Sequence, residues 1–268
     1  MKILIIGDVV GTCGTEYLRR NLSSIASKNS IDMIIANGEN AAKNNGLDSV
    51  SANILFSSGV DVITSGNHIW HKFEMQNIID DYVNILRPAN YPGECPGNGY
   101  VIYNVGGVKV LVISVLGTVY LESLASPFET VDRILKREEG KYDISIVDIH
   151  AEATSEKAAL ARYFDGNLTA VVGTHTHVQT ADERILPKGT AFITDLGMTG
   201  AYESILGVDS ERIINKFLTK MPTRFEQAEG ACQFNAVVID IDNSSFKAKS
   251  IERLFLVENY ENQADTLP

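Results

Sequence analysis

Three β–α units follow one another in the first 70 residues, and each strand ends in glycine followed by polar residues. Mostly apolar runs at residues 2–6, 32–37 and 60–65 predict strands buried on both faces. Helices are expected at residues 15–26 and 49–58. This succession predicts a parallel sheet with right-handed crossovers. Because open α/β sheets bind ligands at the carboxyl ends of their strands, the polar residues there are the first candidates for a functional site.

The rest of the chain leaves this alternation and adds antiparallel pairing. Two runs joined by Gly-Gly, at residues 100–105 and 108–115, predict a hairpin. Further strands are expected at residues 144–149, 169–172, 184–186, 190–194, 224–228, 232–241 and 247–257, helices at residues 129–138 and 210–218 and from residue 154, and loops at residues 69–99, 116–128 and 196–200. The pattern predicts an α/β fold with a second sheet. Because no long linker or repeat interrupts the sequence, we expect one domain over residues 1–268, with a frayed tail after about residue 258.

Composition and cysteine usage narrow the class of protein. The hydrophobic fraction of 44% and the charged fraction of 21% are ordinary for a soluble globular chain. No apolar run approaches the roughly 20 residues of a membrane helix. Lys2 leads directly into strand-like residues rather than a signal peptide, so we expect a cytoplasmic protein without a membrane partner. Cys13, Cys95 and Cys232 are scattered, which argues against a disulfide framework and a thiolate metal site.

The net charge of −11 bears on the partners of the chain. A surface that coats nucleic acid needs clustered lysine and arginine, so a nucleic-acid partner is not expected. A small anionic substrate stays compatible with this charge, because a bound metal ion reverses the local field. The sequence leaves open whether the chain forms a homo-oligomer.

Side chains of ligand type follow five of the predicted strands. They are Asp8, Glu39, Asn40, Asn67, His68, His150, His175 and His177. Four of the five histidines of the chain belong to this set, whereas His71 is expected in a solvated loop. For His175 and His177 we expect an extended backbone that directs both rings into one cleft, because strand side chains repeat every second residue.

The mixture of ligand types indicates the kind of metal site. Carboxylate, amide oxygen and imidazole without thiolate suit manganese, iron or zinc. Apart from His68, seven candidate ligands exceed the four of one tetrahedral ion, so two ions are expected. Two cations with a bridging carboxylate clamp the attacking and leaving oxygens of a phosphoryl displacement. The spacing leaves open which residue holds which ion.

The ordered motifs resemble those of calcineurin-like metallophosphoesterases. They are Gly-Asp at residues 7–8, Gly-Glu-Asn at residues 38–40, Gly-Asn-His at residues 66–68, the single His150 and Gly-Thr-His-Thr-His at residues 173–177. The glycine before each ligand is expected to serve tight turns and close backbone approach. Two positions depart from the superfamily pattern: Val10 stands in place of a histidine, and Glu39 in place of an aspartate.

These departures match one subfamily, the YmdB-like bacterial phosphodiesterases. Its patterns Ile-Gly-Asp-Val-Val-Gly, Asn-Gly-Glu-Asn-Ala-Ala, Arg-Pro-Ala-Asn, His-Ala-Glu-Ala-Thr-Ser-Glu-Lys and Val-Gly-Thr-His-Thr-His all stand in this sequence. The resemblance runs from Met1 to about Arg253. It implies a calcineurin-like αββα sandwich of two mixed sheets flanked by helices.

The resemblance also implies a reaction and a role for each residue. Two iron or manganese ions would be bound, one by Asp8, Asn40 and His177 and the other by Asn67, His150 and His175, with Glu39 as the bridge. His68 would donate a proton to the leaving oxygen. The implied substrate is a small phosphodiester, namely 2′,3′-cyclic and also 3′,5′-cyclic nucleotides, attacked by a hydroxide that bridges the metals. This agrees with general chemistry, since bound cations lower the pKa of water and imidazole supplies protons at neutral pH.

Several alternatives stay open on sequence alone. Glu152 is expected either to orient a histidine or to start the following helix. Arg87, Tyr91 and residues 198–200 are candidates for shaping the substrate pocket, but ordinary loop packing is the favoured interpretation, and substrate-binding residues are not identified. The alternative functions are a phosphomonoesterase or 5′-nucleotidase, a non-catalytic metal-bound regulatory scaffold and an RNA-processing nuclease. A scaffold has no need of a proton donor such as His68.

Overall fold

The computed structural model describes residues 1–258. The helices are α1 (Gly11–Asn29), α2 (Ser49–Ser57), α3 (Phe73–Ile78), α4 (Pro127–Arg137), α5 (Thr154–Tyr163) and α6 (Ser210–Thr219), with a 3-10 helix at Ile79–Asp81. The strands are β1 (Lys2–Ile6), β2 (Asp8–Val9), β3 (Met33–Asn37), β4 (Val62–Thr64), β5 (Tyr100–Val105), β6 (Val108–Leu116), β7 (Ile144–His150), β8 (Ala170–Thr174), β9 (Arg184–Ile185), β10 (Ala191–Ile193), β11 (Met198–Ala201), β12 (Cys232–Ile241) and β13 (Ala248–Val257). Within this range, every helix falls short of the length or the apolar character required for a membrane crossing. The expected frayed tail lies outside the described residues.

Two mixed sheets form the centre of the molecule. In the first, the strand order is β2-β11-β12-β1-β3-β4, and β13 also pairs with β12. Here β1, β3 and β4 are parallel, whereas β12 is antiparallel to β1, β11 and β13. In the second sheet, the order is β5-β6-β7-β8-β10-β9, with antiparallel strands only at the two edges. The predicted α/β fold with two mixed sheets is confirmed.

Alternate residues of the buried strands pack into different layers. In β1, Ile3 lies in the core between the two sheets, whereas Leu4 lies in a core shared with α1 and α2. In β7, Ile146 lies between the sheets and Val147 packs with α4 and α5. This is the period of two that a strand imposes on its side chains. Three hydrophobic cores therefore separate four layers, in the order helices, sheet, sheet, helices.

Several helices begin at polar side chains that accept hydrogen bonds from the first turn. Asp48 caps α2, Ser126 caps α4 and Asp209 caps α6. In contrast, α1 has no side-chain cap and begins at Gly11, four residues before the predicted start. The backbone N–H of Gly11 donates instead to the carbonyl of Asn40, a tertiary contact that local sequence does not reveal.

Three segments differ from the expectations drawn from sequence. The prediction of a loop at residues 196–200 is wrong, because β11 pairs there with β2 and β12. The prediction of a strand at residues 224–228 is also wrong. Gln227 in this segment forms an isolated antiparallel bridge to Val208 instead of a strand, and its side chain hydrogen-bonds to the loop before α2. The expected loop at residues 69–99 contains α3, whose six residues lack a side-chain cap and therefore a start signal.

The carboxyl ends of β3, β4, β7 and β8 meet at one edge of the sandwich. β3 pairs in parallel with β4, and β7 pairs in parallel with β8. The carboxyl ends of the two strands in each pair therefore lie at the same edge of their sheet. β2 lies at the same edge, since Val10, which follows it, forms a parallel bridge to Asn40. The predicted ligands lie in or directly after these strand ends: Asp8 begins β2, His150 ends β7, and the others follow β3, β4 and β8.

Candidate metal centre

A buried carboxylate, that of Glu39, lies at the centre of the predicted residues. Its Oε1 is 3.0 Å from Nε2 of His150 and 3.3 Å from Nδ1 of His68. Its Oε2 accepts a hydrogen bond of 3.0 Å from the backbone N–H of His68. Because Glu39 follows β3, His68 follows β4 and His150 ends β7, strand ends of both sheets meet at this carboxylate.

Asp8 supplies a second carboxylate, and Asp8 and Glu39 are both fully buried. Oδ1 of Asp8 is 3.6 Å from Nε2 of His177. Oδ2 of Asp8 accepts a hydrogen bond of 3.1 Å from the backbone N–H of His175. Asp8 thus contacts both the loop that follows β8 and one of its histidine rings.

Asn67 and His175 contact the same nitrogen of His150 as Glu39 does. Oδ1 of Asn67 is 3.1 Å and Nδ1 of His175 is 3.0 Å from Nε2 of His150. One ligand atom each of Glu39, His150 and His175 lies within 4.8 Å of the others. The structure therefore brings these predicted residues together from four strand ends.

Three histidines, His150, His175 and His177, each have one ring nitrogen directed at the centre and the other held by a neighbouring residue. The neighbouring atoms are Oγ1 of Thr174 for Nδ1 of His150 at 2.9 Å, Oε2 of Glu152 for Nε2 of His175 at 3.1 Å, and the carbonyl oxygen of Leu206 for Nδ1 of His177 at 3.0 Å. Contacts of this kind fix the ring orientation of metal-binding histidines. Of the two roles considered for Glu152, the contact with His175 is the one observed.

The partners of Thr174 determine which nitrogen of His150 carries the proton. Oγ1 of Thr174 donates a hydrogen bond of 2.7 Å to the buried carboxylate of Asp148, so it accepts from Nδ1 of His150. Asp148 also accepts hydrogen bonds from Thr64 and Asn37. In the neutral ring of His150, the lone pair therefore lies on Nε2 and is directed at the centre.

The backbone of the loop after β8 differs from the expectation. β8 ends at Thr174, and the φ angles of His175 and His177 are 101° and 65°. The prediction of an extended backbone is therefore wrong, although both rings do reach the site. Positive φ is costly for residues with a Cβ and persists only where the surroundings enforce it.

A buried ion pair holds this loop in place. Asp195 accepts hydrogen bonds from the backbone N–H and the hydroxyl of Thr176, at 3.1 and 2.8 Å. Nζ of Lys157 donates to the same oxygen of Asp195 at 2.7 Å, and both side chains are fully buried. Sequence reasoning missed Asp148, Lys157 and Asp195. A signal was available for Asp148 alone: it is a charged residue in an otherwise apolar run, and its spacing of two from His150 places both on one face of β7.

Two glycines before the ligands are required by close packing rather than by turn geometry. A Cβ at Gly66 would lie 2.2 Å from the ring of His150 and 2.4 Å from Oε2 of Glu39. A Cβ at Gly173 would lie 1.8 Å from the carbonyl oxygen of Thr194. Neither glycine has a positive φ, so close approach, and not a tight turn, explains them.

His68 lies at the mouth of the centre, with its side chain 24% exposed. Nδ1 of His68 is 2.8 Å from Oδ1 of Asn40. Nδ2 of Asn40 is directed inwards, at 3.2 Å from Oε1 of Glu39 and 3.3 Å from Nε2 of His177. Asn40 would present its oxygen to these atoms only after a half-turn of the amide. His71 is exposed as expected, but its ring centroid lies 4.2 Å from that of His68.

Arg87 and Tyr91 make contacts that agree with loop packing. The guanidinium of Arg87 donates to the backbone carbonyls of three loop residues, Pro88, Cys95 and Pro96. The ring of Tyr91 packs edge-on against Trp70, and its hydroxyl donates to Glu122. None of these hydrogen bonds involves the buried carboxylates of Asp8 and Glu39.

The buried charges shift one another's pKa values. Burial raises the pKa of Asp8 and Glu39, but the nearby imidazoles outweigh burial and lower the pKa of both carboxyls below their usual values. Burial alone would lower the pKa of His150, but the adjacent carboxylate of Glu39 raises it to about 9. The pKa of His177 is raised for the same kind of reason, through Asp8, whereas burial and His150 lower the pKa of His175. The centre thus attracts positive charge.

The donor set fits a divalent cation. The lone pair on Nε2 of neutral His150 faces Glu39 Oε1, Asn67 Oδ1 and His175 Nδ1, all within 3.1 Å. A single proton at this point can satisfy only one of these acceptors, whereas a cation attracts all of them. Carboxylate, amide and imidazole donors suit manganese, iron or zinc.

Comparisons with known proteins agree with this geometry. The sequence model described as YmdB-like protein matches residues 4–254. The chain is 47% identical over 260 residues to the 2′,3′-cyclic-nucleotide 2′-phosphodiesterase of Bacillus subtilis (strain 168), covering 97% of this chain and 98% of that protein. The crystal structure of a hypothetical protein from Thermus thermophilus superposes with a TM-score of 0.91 at 41% identity, covering 97% of this chain and 100% of the other.

A more distant structure supports the fold alone. The NAD nucleotidase of Haemophilus influenzae superposes with a TM-score of 0.60 at 12% identity, covering 96% of this chain and 56% of the other. The predicted calcineurin-like αββα sandwich is confirmed, as is the resemblance on which it was based. The chain belongs to the YmdB-like protein family.

Proposed function

We propose that the chain is a metal-dependent phosphodiesterase that opens 2′,3′-cyclic nucleotides. The observation that carries this proposal is the cluster of Glu39, His150 and His175, with the adjacent pair of Asp8 and His177, beside His68. The activity named for the B. subtilis relative, at 47% identity over nearly both chains, supports the same substrate. The chain is accordingly a phosphoric-ester hydrolase. We infer 3′,5′-cyclic nucleotides as a second substrate class.

We propose two bound ions, iron or manganese, with the ligands that the resemblance implies. Asp8, Asn40 and His177 would hold one ion, Asn67, His150 and His175 would hold the other, and Glu39 would be shared. When bound, the ions lower the pKa of water towards neutrality and offset the charge of the phosphoryl oxygens. The observed positions of Glu39 and Asp8 support this division, since each carboxylate lies beside a different histidine.

His68 is the proton donor in this proposal. Water adds to phosphorus and gives up a proton to solvent, the bond between phosphorus and O2′ breaks, and O2′ takes a proton from the imidazolium. The product is a nucleoside 3′-phosphate, and solvent reprotonates His68. As a general acid, His68 would act in its imidazolium form, with both ring nitrogens protonated. Oδ1 of Asn40 lies 2.8 Å from Nδ1 of His68 and would accept the proton on that nitrogen. The other nitrogen, Nε2, makes no hydrogen bond within residues 1–258 and would give its proton to O2′.

The test compares diester and monoester substrates with metal-loaded enzyme. We expect rapid opening of 2′,3′-cyclic AMP to 3′-AMP, with 3′-AMP accumulating as the end product. Cleavage of 3′-AMP or 5′-AMP at a similar rate would instead assign the chain to the phosphomonoesterases. Absence of cleavage of every substrate would favour the non-catalytic scaffold.

A further inference from the structure

A cavity of about 380 Å³ lies beside the metal centre and is not used by any step above. His177 forms one wall, and the ring that faces Asp8 therefore also borders this cavity. Other wall residues are Met198, Tyr202, Leu206, Gln233, Asn235 and Phe255. The volume is within the range of about 300–1,000 Å³ that is usual for small-molecule pockets.

One wall carries amide side chains on a single strand. Gln233 and Asn235 are two residues apart on β12, so their side chains lie on one face of the sheet. Asn235 is 2% exposed, and its Oδ1 has no hydrogen-bond partner among residues 1–258. A buried acceptor without a donor is costly, so this oxygen is suited to a ligand N–H.

Another wall is aromatic. Phe255 on β13 pairs in register with Asn235, which places the ring and the amide next to each other. Phe255 and Tyr202 are 55% and 42% exposed, which is high for large aromatic residues. Exposed aromatic faces beside unpaired amide groups are the means by which proteins bind nucleobases, through stacking and edge-on hydrogen bonds.

We propose that this cavity is the nucleobase subsite of the enzyme, with Phe255 stacking on the base and Oδ1 of Asn235 accepting a hydrogen bond from its exocyclic amine. This rests on the proposed function, since it places the base of a cyclic nucleotide next to the centre that holds its phosphate. Asparagine pairs well with the N6 and N7 edge of adenine, so adenine is the favoured base. Substrate specificity is thereby assigned to β12 and β13, at the opposite end of the chain from Asp8 and Glu39.

The experiment separates the base from the reacting phosphate. Rates are measured for 2′,3′-cyclic AMP and for ribose 2,3-cyclic phosphate, which has no base, with wild type, Phe255→Ala and Leu256→Ala. Leu256 is the matched control, because it is also exposed and lies on the other face of β13. We expect Phe255→Ala to lower kcat/KM for 2′,3′-cyclic AMP by about fivefold to 100-fold through a raised KM. Ribose 2,3-cyclic phosphate should be cleaved at an unchanged rate by all three proteins.

Two results would overturn this subsite. One is a wild type that cleaves both substrates with equal efficiency; the other is a Phe255→Ala variant that loses the same factor on both. As a second readout, purine riboside 2′,3′-cyclic phosphate, which lacks the amine, should be about fivefold poorer than 2′,3′-cyclic AMP. Equal efficiency of these two would remove Asn235 from the proposal.

Binding measurements keep the subsite testable if the proposed function fails. If wild type cleaves neither substrate, calorimetric titration with 3′-AMP and ribose 3-phosphate decides the matter. Preferential binding of 3′-AMP that Phe255→Ala abolishes and Leu256→Ala retains would support a base subsite without hydrolysis. Equal binding of both ligands, or no binding of either, would contradict it.

Discussion

At the residue scale, one nitrogen of each site histidine is held and the other is left for a cation. Thr174, Glu152 and the carbonyl of Leu206 provide the three holding contacts. His68 is different, because its Nδ1 contacts Asn40 and its ring lies at the mouth of the centre. This difference in surroundings is the physical basis for assigning His68 to proton transfer and the others to metal binding.

Replacing His68 tests that assignment. The His68→Ala variant should keep its metal content, because the buried ligands are unchanged, while kcat falls by about 10²–10⁴-fold. Metal analysis of the purified protein and the rate of 2′,3′-cyclic AMP cleavage are the measurements. His71→Ala, which removes the neighbouring imidazole, is the control and should change kcat much less. Loss of metal from His68→Ala would show that His68 is a ligand instead.

The protonation state of His150 gives a pH dependence. Because Glu39 raises the pKa of His150 to about 9 against the effect of burial, the metal-free ring carries an additional proton at neutral pH. Metal binding requires the neutral ring, so loading Mn²⁺ at about pH 7 should release this proton. The release should decline as the pH rises through about 9. Anaerobic calorimetric titrations in two buffers of different ionisation enthalpy measure it; a proton count independent of pH would contradict the raised pKa.

At the scale of elements, the loop after β8 combines a predictable and an unpredictable part. Its two histidines could be identified from sequence because they directly follow an apolar run. Its conformation could not, because the positive φ angles of His175 and His177 are stabilised by Asp195 and Asp8, which are distant in sequence. Lys157 and Asp195 were missed for the same reason: each is recognisable only when its partner is known.

Replacing Lys157 tests the role of the buried ion pair. Lys157→Met leaves the carboxylate of Asp195 buried without a countercharge, which should lower the free energy of unfolding by about 3–5 kcal/mol. The loop with His175 and His177 should also become less ordered, so metal affinity should fall. Lys136→Met, which removes an exposed ion pair with Asp132, is the matched control and should change thermal stability little. Equal stability of the two variants would contradict the proposed role.

The helices and strands show where sequence patterns suffice and where they do not. Every long buried strand was predicted from the sequence, since a run of apolar residues marks each of them. In contrast, β11 has little local strand preference and exists because β2 and β12 lie on either side of it. The short α3 begins without a capping side chain, so the sequence contained no local signal for the start of this helix. Tertiary contacts, rather than local preference, decide these short elements.

At the scale of the whole molecule, the two ends of the described chain meet in one sheet. β1 is paired on one side with β3 and on the other with β12. The metal centre draws residues from both sheets, and the proposed base subsite adds β12 and β13. We propose on this basis that the chain is a single folding domain, in which the sandwich brings the phosphate site and the base site together.

The most direct measurement is hydrolysis of 2′,3′-cyclic AMP by chelator-stripped protein, before and after addition of Mn²⁺ or anaerobic Fe²⁺. The stripped protein should be inactive, and either metal should restore cleavage to 3′-AMP, because the buried acceptors around Glu39 and Asp8 act only through a bound cation. Absence of cleavage in protein that is folded and shown to contain metal would contradict the proposed phosphodiesterase. Full activity in verified metal-free protein would contradict the metal centre.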